Sequence, residues 1–170
     1  MKNAKPLLIS HRGNLAGPNR ERENHPDYID EAINAGFEVE VDMWLIDEKH
    51  WWLGHDAPQY KVDPDWLLHK CTTLWIHCKN CYALEGLARY DIGHRDYFRY
   101  FFHQDDQYTL TSNRHVWAYP TATPIIGAII AVPELFYTQN QVETELLAKN
   151  VIGGVCSDYV SRYAEFLNRK

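Results

Sequence analysis

A chain of 170 residues, 45% hydrophobic and 14% aromatic, has enough apolar material for one self-standing domain spanning residues 1–170 and too much for a disordered polymer. Its net charge of -6, without any block of Lys or Arg, argues against nucleic acid as the partner, because phosphate-backbone binding rests on clustered positive charge. Four cysteines (Cys71, Cys78, Cys81 and Cys156) are too few for a disulfide framework, and no apolar run reaches the roughly 18 residues of a membrane span, so a cytoplasmic protein with reduced thiols is expected.

Short apolar runs alternate with helical stretches, the pattern of a parallel α/β protein. Pro6–Ser10 reads as a first buried strand. Pro26–Ala35 reads as a helix, with Pro26 suited to its first turn and Gly36 to its stop. Phe37–Asp42 is a second strand, followed by a hairpin through Asp47 and Glu48 to Trp51–Leu53. Asp63-Pro64-Asp65 opens a short helix through Leu68, Leu74–Cys78 is a third main strand and Tyr82–Arg89 a helix. Further strands are predicted at Tyr100–Phe102, Val116–Ala118, Ile126–Val132 and Val155–Ser157, and helices at Gln141–Lys149 and Ser161–Leu167. A (β/α)8 barrel of the TIM type usually needs about 250 residues. The fold expected is therefore a compact, truncated version of that barrel, with some outer helices missing or reduced to loops.

Polar residues occupy strand positions that should be apolar. In Phe37-Glu38-Val39-Glu40-Val41-Asp42 the three carboxylates share one face. In an antiparallel sheet that face would simply be wet. In a parallel barrel both faces are covered, so inward carboxylates need a partner, typically a divalent cation. Leu74–Lys79 repeats the anomaly, with His77 and Lys79 on one face. A lone strand histidine is commonly a hydrogen-bonded core residue, but these two fall at the end of the strand where barrel enzymes keep their active sites. The first strand ends in Ser10-His11-Arg12-Gly13, and the hairpin runs into Gly54-His55-Asp56. Two carboxylates can hold a cation that polarises a phosphoryl oxygen, Arg12 and Lys79 can bind phosphate, and two histidines can divide the proton transfers. There is no glycine-rich phosphate loop and no Gly-x-Ser-x-Gly elbow. Cys78-Lys79-Asn80-Cys81 has CxxC spacing, but Cys78 points away from His77 and no second CxxC completes a zinc site.

The segments His11-Arg12-Gly13, Glu23-Asn24, Glu40-Val41-Asp42 and His55-Asp56, in this order, resemble the glycerophosphodiester phosphodiesterase family of phospholipase C-like barrels, a group that includes the sphingomyelinase D-type phospholipases. Gly154–Tyr159 is a weaker echo of that family's final strand. The resemblance implies catalytic roles for His11 and His55, phosphate binding by Arg12 and Lys79, metal ligation by Glu40 and Asp42, and a place for Glu23 beside metal and substrate. At the third ligand position the family carries an acid and this chain carries His77. The family pattern implies magnesium or calcium; an imidazole ligand shifts preference toward manganese or zinc. His103 and Trp117, in a middle segment without a family match, could line the barrel mouth and stack on a sugar or base, or merely pack.

The function expected is that of a phosphoric diester hydrolase, a metal-dependent phosphodiesterase acting on a small glycerol-, sugar- or nucleotide-linked diester. One alternative is a transphosphorylating lyase that leaves a cyclic phosphate. Another is a non-catalytic domain that binds phosphorylated ligands. A shortened barrel could also form a homo-oligomer to cover apolar surface.

Overall fold

The alternation read in Phe37–Asp42 becomes a strand covered on both faces in the computed structural model, which describes residues 5–94 and 97–169. Its ten strands are β1 (Leu7–His11), β2 (Glu38–Ile46), β3 (His50–Leu53), β4 (Tyr60–Val62), β5 (Leu74–Cys78), β6 (Arg99–Phe101), β7 (Tyr108–Leu110), β8 (Val116–Ala118), β9 (Ile129–Ala131) and β10 (Gly154–Ser157). Seven run parallel in the order β6-β5-β2-β1-β10-β9-β8. The helices are α1 (Pro26–Asn34), α2 (Pro64–His69), α3 (Cys81–His94) and α4 (Val160–Asn168), with a π-helix at Gln141–Leu147.

The parallel sheet curls around a cluster of Ile9, Trp75, Phe101, Trp117, Ile129 and Cys156, one residue from each of six strands. The alternate residues face outward. Val39, Val41, Leu74, Ile76 and Cys78 pack against Ile29 and Ala32 of α1 and Ala83 and Leu87 of α3. Burying each of the larger aliphatic side chains stabilises the fold by roughly 1.5–3 kcal/mol. On the opposite flank Ile130 and Val155 pack against Val142, Leu146 and Tyr163. Both faces are mainly apolar below the strand ends, where Glu38 at the start of β2 is held by Trp75 Nε1 at 2.7 Å and Arg99 at 2.8 Å; the other inward titratable groups of β1, β2 and β5 lie at the C-terminal ends.

The local signals explain the helix limits. The His25 ring accepts the Asp27 N–H at the start of α1, Pro26 takes the first position, and Gly36 turns the chain out with φ +91°. Asp63 caps α2 by accepting the Asp65 N–H at 2.8 Å.

The structure differs from the expected elements in several places. β2 runs on to Ile46, because its second half leaves the parallel sheet and pairs antiparallel with β3, Met43 opposite Leu53 and Ile46 opposite His50. The turn places Asp47 and Glu48 at φ 51° and 55°, the positive values that match hairpin twist. β4 extends this flap and β7 pairs antiparallel with β8; neither was anticipated. The expected strand at Ile126–Val132 shrinks to Ile129–Ala131, leaving Ile126 exposed in the preceding loop. Among the described residues no helix joins β6 to β8 or β8 to β9. No helix among the described residues is long and apolar enough to cross a membrane.

Candidate active site

Strand register assembles the site. β1 pairs with β2 so that His11 lies opposite Glu40, and β2 pairs with β5 so that Asp42 lies opposite His77. The three strands thereby deliver four titratable groups to one end of the sheet. Beyond the strand ends, His11, Arg12, Glu23, Glu40, His55, His77, Lys79, His103, Trp117 and Asp158 line one cleft of about 840 Å³.

Asp42, fully buried, is the hub. Its Oδ2 accepts from Asn24 Nδ2 at 3.0 Å and meets Arg12 Nε at 2.8 Å. Its Oδ1 faces His77 Nδ1 at 3.1 Å and Lys79 Nζ at 3.4 Å. Burial would raise the Asp42 pKa, but the His77 hydrogen bond and the charges of Arg12 and Lys79 hold it well below the usual carboxylate range. Glu40, only 3% exposed, is in the opposite condition. Its Oε2 has no hydrogen-bond partner, and burial together with the charge of Asp42 pushes its pKa up. Two adjacent carboxylates, one satisfied and one short of positive charge, make a site that favours a cation. Glu40, Asp42 and His77 each bring one potential ligand atom within 4.8 Å of the others. They form a candidate metal triad whose carboxylate and imidazole donors suit a divalent ion. His77 would join it through Nδ1, the nitrogen now turned to Asp42.

His11 and His55 stand in contrasting surroundings. The His11 Nδ1 faces Asp158 Oδ1 at 2.7 Å, and its Nε2 lies 4.0 Å from Glu40 Oε2. A carboxylate only accepts, so Asp158 fixes the ring with its proton on Nδ1. Burial alone would lower the His11 pKa, but the Asp158 hydrogen bond and the charge of Glu40 raise it above the ordinary value. The pKa of Asp158 is lowered: burial opposes this and the His11 hydrogen bond outweighs it. His55, 44% exposed, pairs with Asp56 at 2.6 Å. Its pKa is lowered by partial burial and by the nearby positive charge of Arg12.

Backbone geometry holds these groups in place. Arg12 and Asn24 both adopt positive φ, 55° and 63°, and the Asn24 N–H donates to the Arg12 carbonyl. Left-handed non-glycine residues cost energy and tend to gather at functional sites. Gly54 positions His55: its carbonyl accepts from Trp44 Nε1 at 2.7 Å and its N–H donates to the Asp42 carbonyl. At φ +144° a Cβ on Gly54 would lie 2.1 Å from the Ala57 carbonyl oxygen. Gly54→Ala is expected to cost about 1–3 kcal/mol of stability and to displace His55. Thermal melts and kcat measured on the variant check this; an unchanged melt would count against the tight-turn account.

Every residue singled out from sequence lines the cleft or contacts a residue that does, but not all are open to a ligand. Glu23 bonds Arg12 Nη1 at 3.3 Å. His103, part-buried, stacks on His77 with ring centroids 4.8 Å apart. Trp117, 3% exposed, stacks on Phe101 at 4.4 Å, so it packs within the inner cluster and is not free to grip a sugar or base. Sequence reasoning missed Asn14, Asn24 and Asp158 as parts of the site. Asn14 Nδ2 bonds both Glu23 and Asp158. The signals existed in two of these cases, since Asn24 adjoins Glu23 and Asp158 lies in the Gly154–Tyr159 segment.

The architecture is a mixed α/β fold with a curled, mainly parallel sheet and a polar site at its strand C-termini. The same fold is found in solved glycerophosphodiester phosphodiesterases. The enzyme from Agrobacterium tumefaciens aligns over 96% of this chain and 99% of its own, with TM-score 0.60 and 14% identity. A glycerophosphoryl diester phosphodiesterase from Parabacteroides distasonis aligns over 99% of this chain and 88% of its own, with TM-score 0.57 and 12% identity. No family model matches the sequence, and no curated protein matches it.

Proposed function

We propose that this protein is a metal-dependent phosphodiesterase that hydrolyses a small glycerol-, sugar- or nucleotide-linked phosphodiester. The observation that carries the reading is the single cleft that brings together His11 and His55, each held by a carboxylate at 2.7 and 2.6 Å, with the Glu40, Asp42 and His77 triad. Their surroundings push the His11 pKa up and the His55 pKa down, the contrast expected of an acid and a base. The fold shared with glycerophosphodiester phosphodiesterases supports the same reaction class. On this reading the curled sheet is a reduced (β/α) barrel. Tyr100 and Ser112 would bridge the seam beside β6, where the Ser112 N–H donates to the Tyr100 carbonyl at 2.8 Å.

In this mechanism Arg12 binds a phosphoryl oxygen through Nη2, the one guanidinium nitrogen not held by Asp42 or Glu23, and Lys79 adds a point charge. A divalent ion held by Glu40, Asp42 and His77 would, when bound, act as a Lewis acid on the phosphoryl group. His55, neutral at physiological pH, takes the proton from the attacking water. His11, held by Asp158 with its pKa raised, gives in its protonated form the proton of Nε2 to the departing alkoxide.

The pH dependence follows with its sign. His55 must be unprotonated, so activity rises with pH through a value below 6.5; His11 must be protonated, so activity falls through a value above 6.5. The kcat profile on a glycerol-linked diester is expected to be bell-shaped, with the acid limb absent in His55→Ala. Phosphorus NMR of the products tests the reaction class. A monoester as the first product supports hydrolysis, whereas an accumulating cyclic phosphate would replace it with the transphosphorylating lyase.

A further inference from the structure

Behind the cleft wall lies a carboxylate that the mechanism above does not use. Glu134 sits in a short 3-10 turn, Pro133–Leu135, directly after β9. Its Oε1 accepts two hydrogen bonds from the end of β10, the Ser157 hydroxyl at 2.9 Å and the Asp158 backbone N–H at 2.8 Å. Its Oε2 is buried and has no hydrogen-bond partner. Asp158, the residue so gripped, is the one that holds His11 Nδ1.

The turn that places Glu134 is itself unusual. Val132 still donates its N–H to the Cys156 carbonyl at 2.7 Å, continuing the β9–β10 ladder, and then adopts φ 42° and ψ 54°. Left-handed backbone is a genuine outlier for a β-branched residue. Such strain persists only where the surroundings demand it. Here it bends the chain so that Glu134 meets β10 where Asp158 leaves the strand.

We infer that Glu134 is a positioning residue for His11, acting through Ser157 and Asp158: it fixes the backbone from which the Asp158 carboxylate reaches the His11 ring. The inference rests on the reading of His11 as the proton donor. What Glu134 supplies is an acceptor oxygen at Oε1, and a glutamine amide oxygen can supply the same. Alanine cannot, and aspartate is one methylene too short to reach both donors.

The test compares the parent with Glu134→Gln, Glu134→Asp and Glu134→Ala by two independent readouts. One is kcat and KM on a glycerol-linked phosphodiester. The other is the proton NMR resonance of the His11 Nδ1–H, which reports the bond to Asp158 whether or not the protein turns over. Glu134→Ala is expected to lower kcat by about 10–100-fold, as loss of a residue that orients a site group does. KM should stay within roughly 2-fold, the split expected when only transition-state geometry is lost. The Nδ1 proton resonance should shift or broaden, and Glu134→Gln should restore both readouts. Three results would overturn the inference: an alanine variant with parental kcat and resonance, a fall in kcat with the resonance unchanged, or a glutamine variant as impaired as alanine. If the alanine variant does not fold, Glu134→Asp is judged by the same criteria. If the parent cleaves no diester, the phosphodiesterase reading fails on that ground, and the resonance alone decides whether Glu134 positions His11.

Discussion

His11→Ala is expected to lower kcat on a glycerol-linked phosphodiester by about 10²–10⁴-fold, the range attributed to a positioned general acid or base. The loss should depend on the leaving group. A glycerol alkoxide is strongly basic and needs a proton as the P–O bond breaks, whereas p-nitrophenolate departs readily without one. The variant should therefore be far more impaired on the glycerol-linked substrate than on bis(p-nitrophenyl) phosphate. His55→Ala, which removes the proposed base, should be impaired on both alike. Equal losses on the two substrates for His11→Ala would reassign His11 to another role. The contrast follows from the structure: the Asp158 hydrogen bond at 2.7 Å and the charge of Glu40 raise the His11 pKa, whereas at His55, paired with Asp56 at 2.6 Å, partial burial and the charge of Arg12 prevail and lower it.

Asp42→Ala is expected to damage the fold as well as the chemistry. The carboxylate is fully buried and meets Arg12, Asn24, His77 and Lys79. Removing one partner of a buried ion pair leaves uncompensated charge and costs about 3–5 kcal/mol. For a chain of this size that corresponds to a fall in Tm of roughly 6–20 °C. The sign of its pH dependence is fixed by the depressed Asp42 pKa. Such a group contributes stability above its unfolded value, near 4, and loses it as pH falls through the lower folded value. The gap in stability between parent and variant should hold from about pH 5 upward and narrow on acidification. Asp42→Asn keeps the volume and part of the hydrogen bonding, so it should be less destabilising than alanine. A melt of Asp42→Ala within about 2 °C of the parent would contradict the view of Asp42 as the electrostatic hub.

Much of this site was legible because strand periodicity is local. Glu38, Glu40 and Asp42 could be placed on one face from spacing alone, and β2 bears this out, with Val39, Val41 and Met43 in the opposite apolar core. β5 matches its expected limits, and His77 and Lys79 both reach Asp42. The antiparallel flap was less visible. The three residues of β4 and of β7 carry too little pattern to be recognised, and both exist by pairing with a neighbour. The extension of β2 beyond Asp42 has the same cause, since Met43–Ile46 are strand through their pairing with β3.

The supports of the proposed catalytic groups were hidden for a different reason. The bond between His11 and Asp158 joins residues 147 positions apart, and only the closeness of β1 and β10 creates it. Asn24 looked like a loop residue; its left-handed backbone and its two hydrogen bonds to Asp42 are set by tertiary contacts. The sequence leaves open whether Trp117 stacks on a ligand or merely packs, because a short strand does not reveal which side chains its neighbours cover. Phe101 and Trp75 cover it.

The central claim is that a cation at Glu40, Asp42 and His77 works with His11 and His55 to cleave a phosphodiester. Its most direct test is turnover of a glycerol-linked phosphodiester by metal-stripped protein, with magnesium, calcium, manganese or zinc restored in turn beside Glu40→Gln and His11→Ala. The account predicts no turnover without metal, recovery with at least one ion, and loss of that recovery in both variants. Full activity of the stripped protein, or recovery that survives Glu40→Gln, would contradict it.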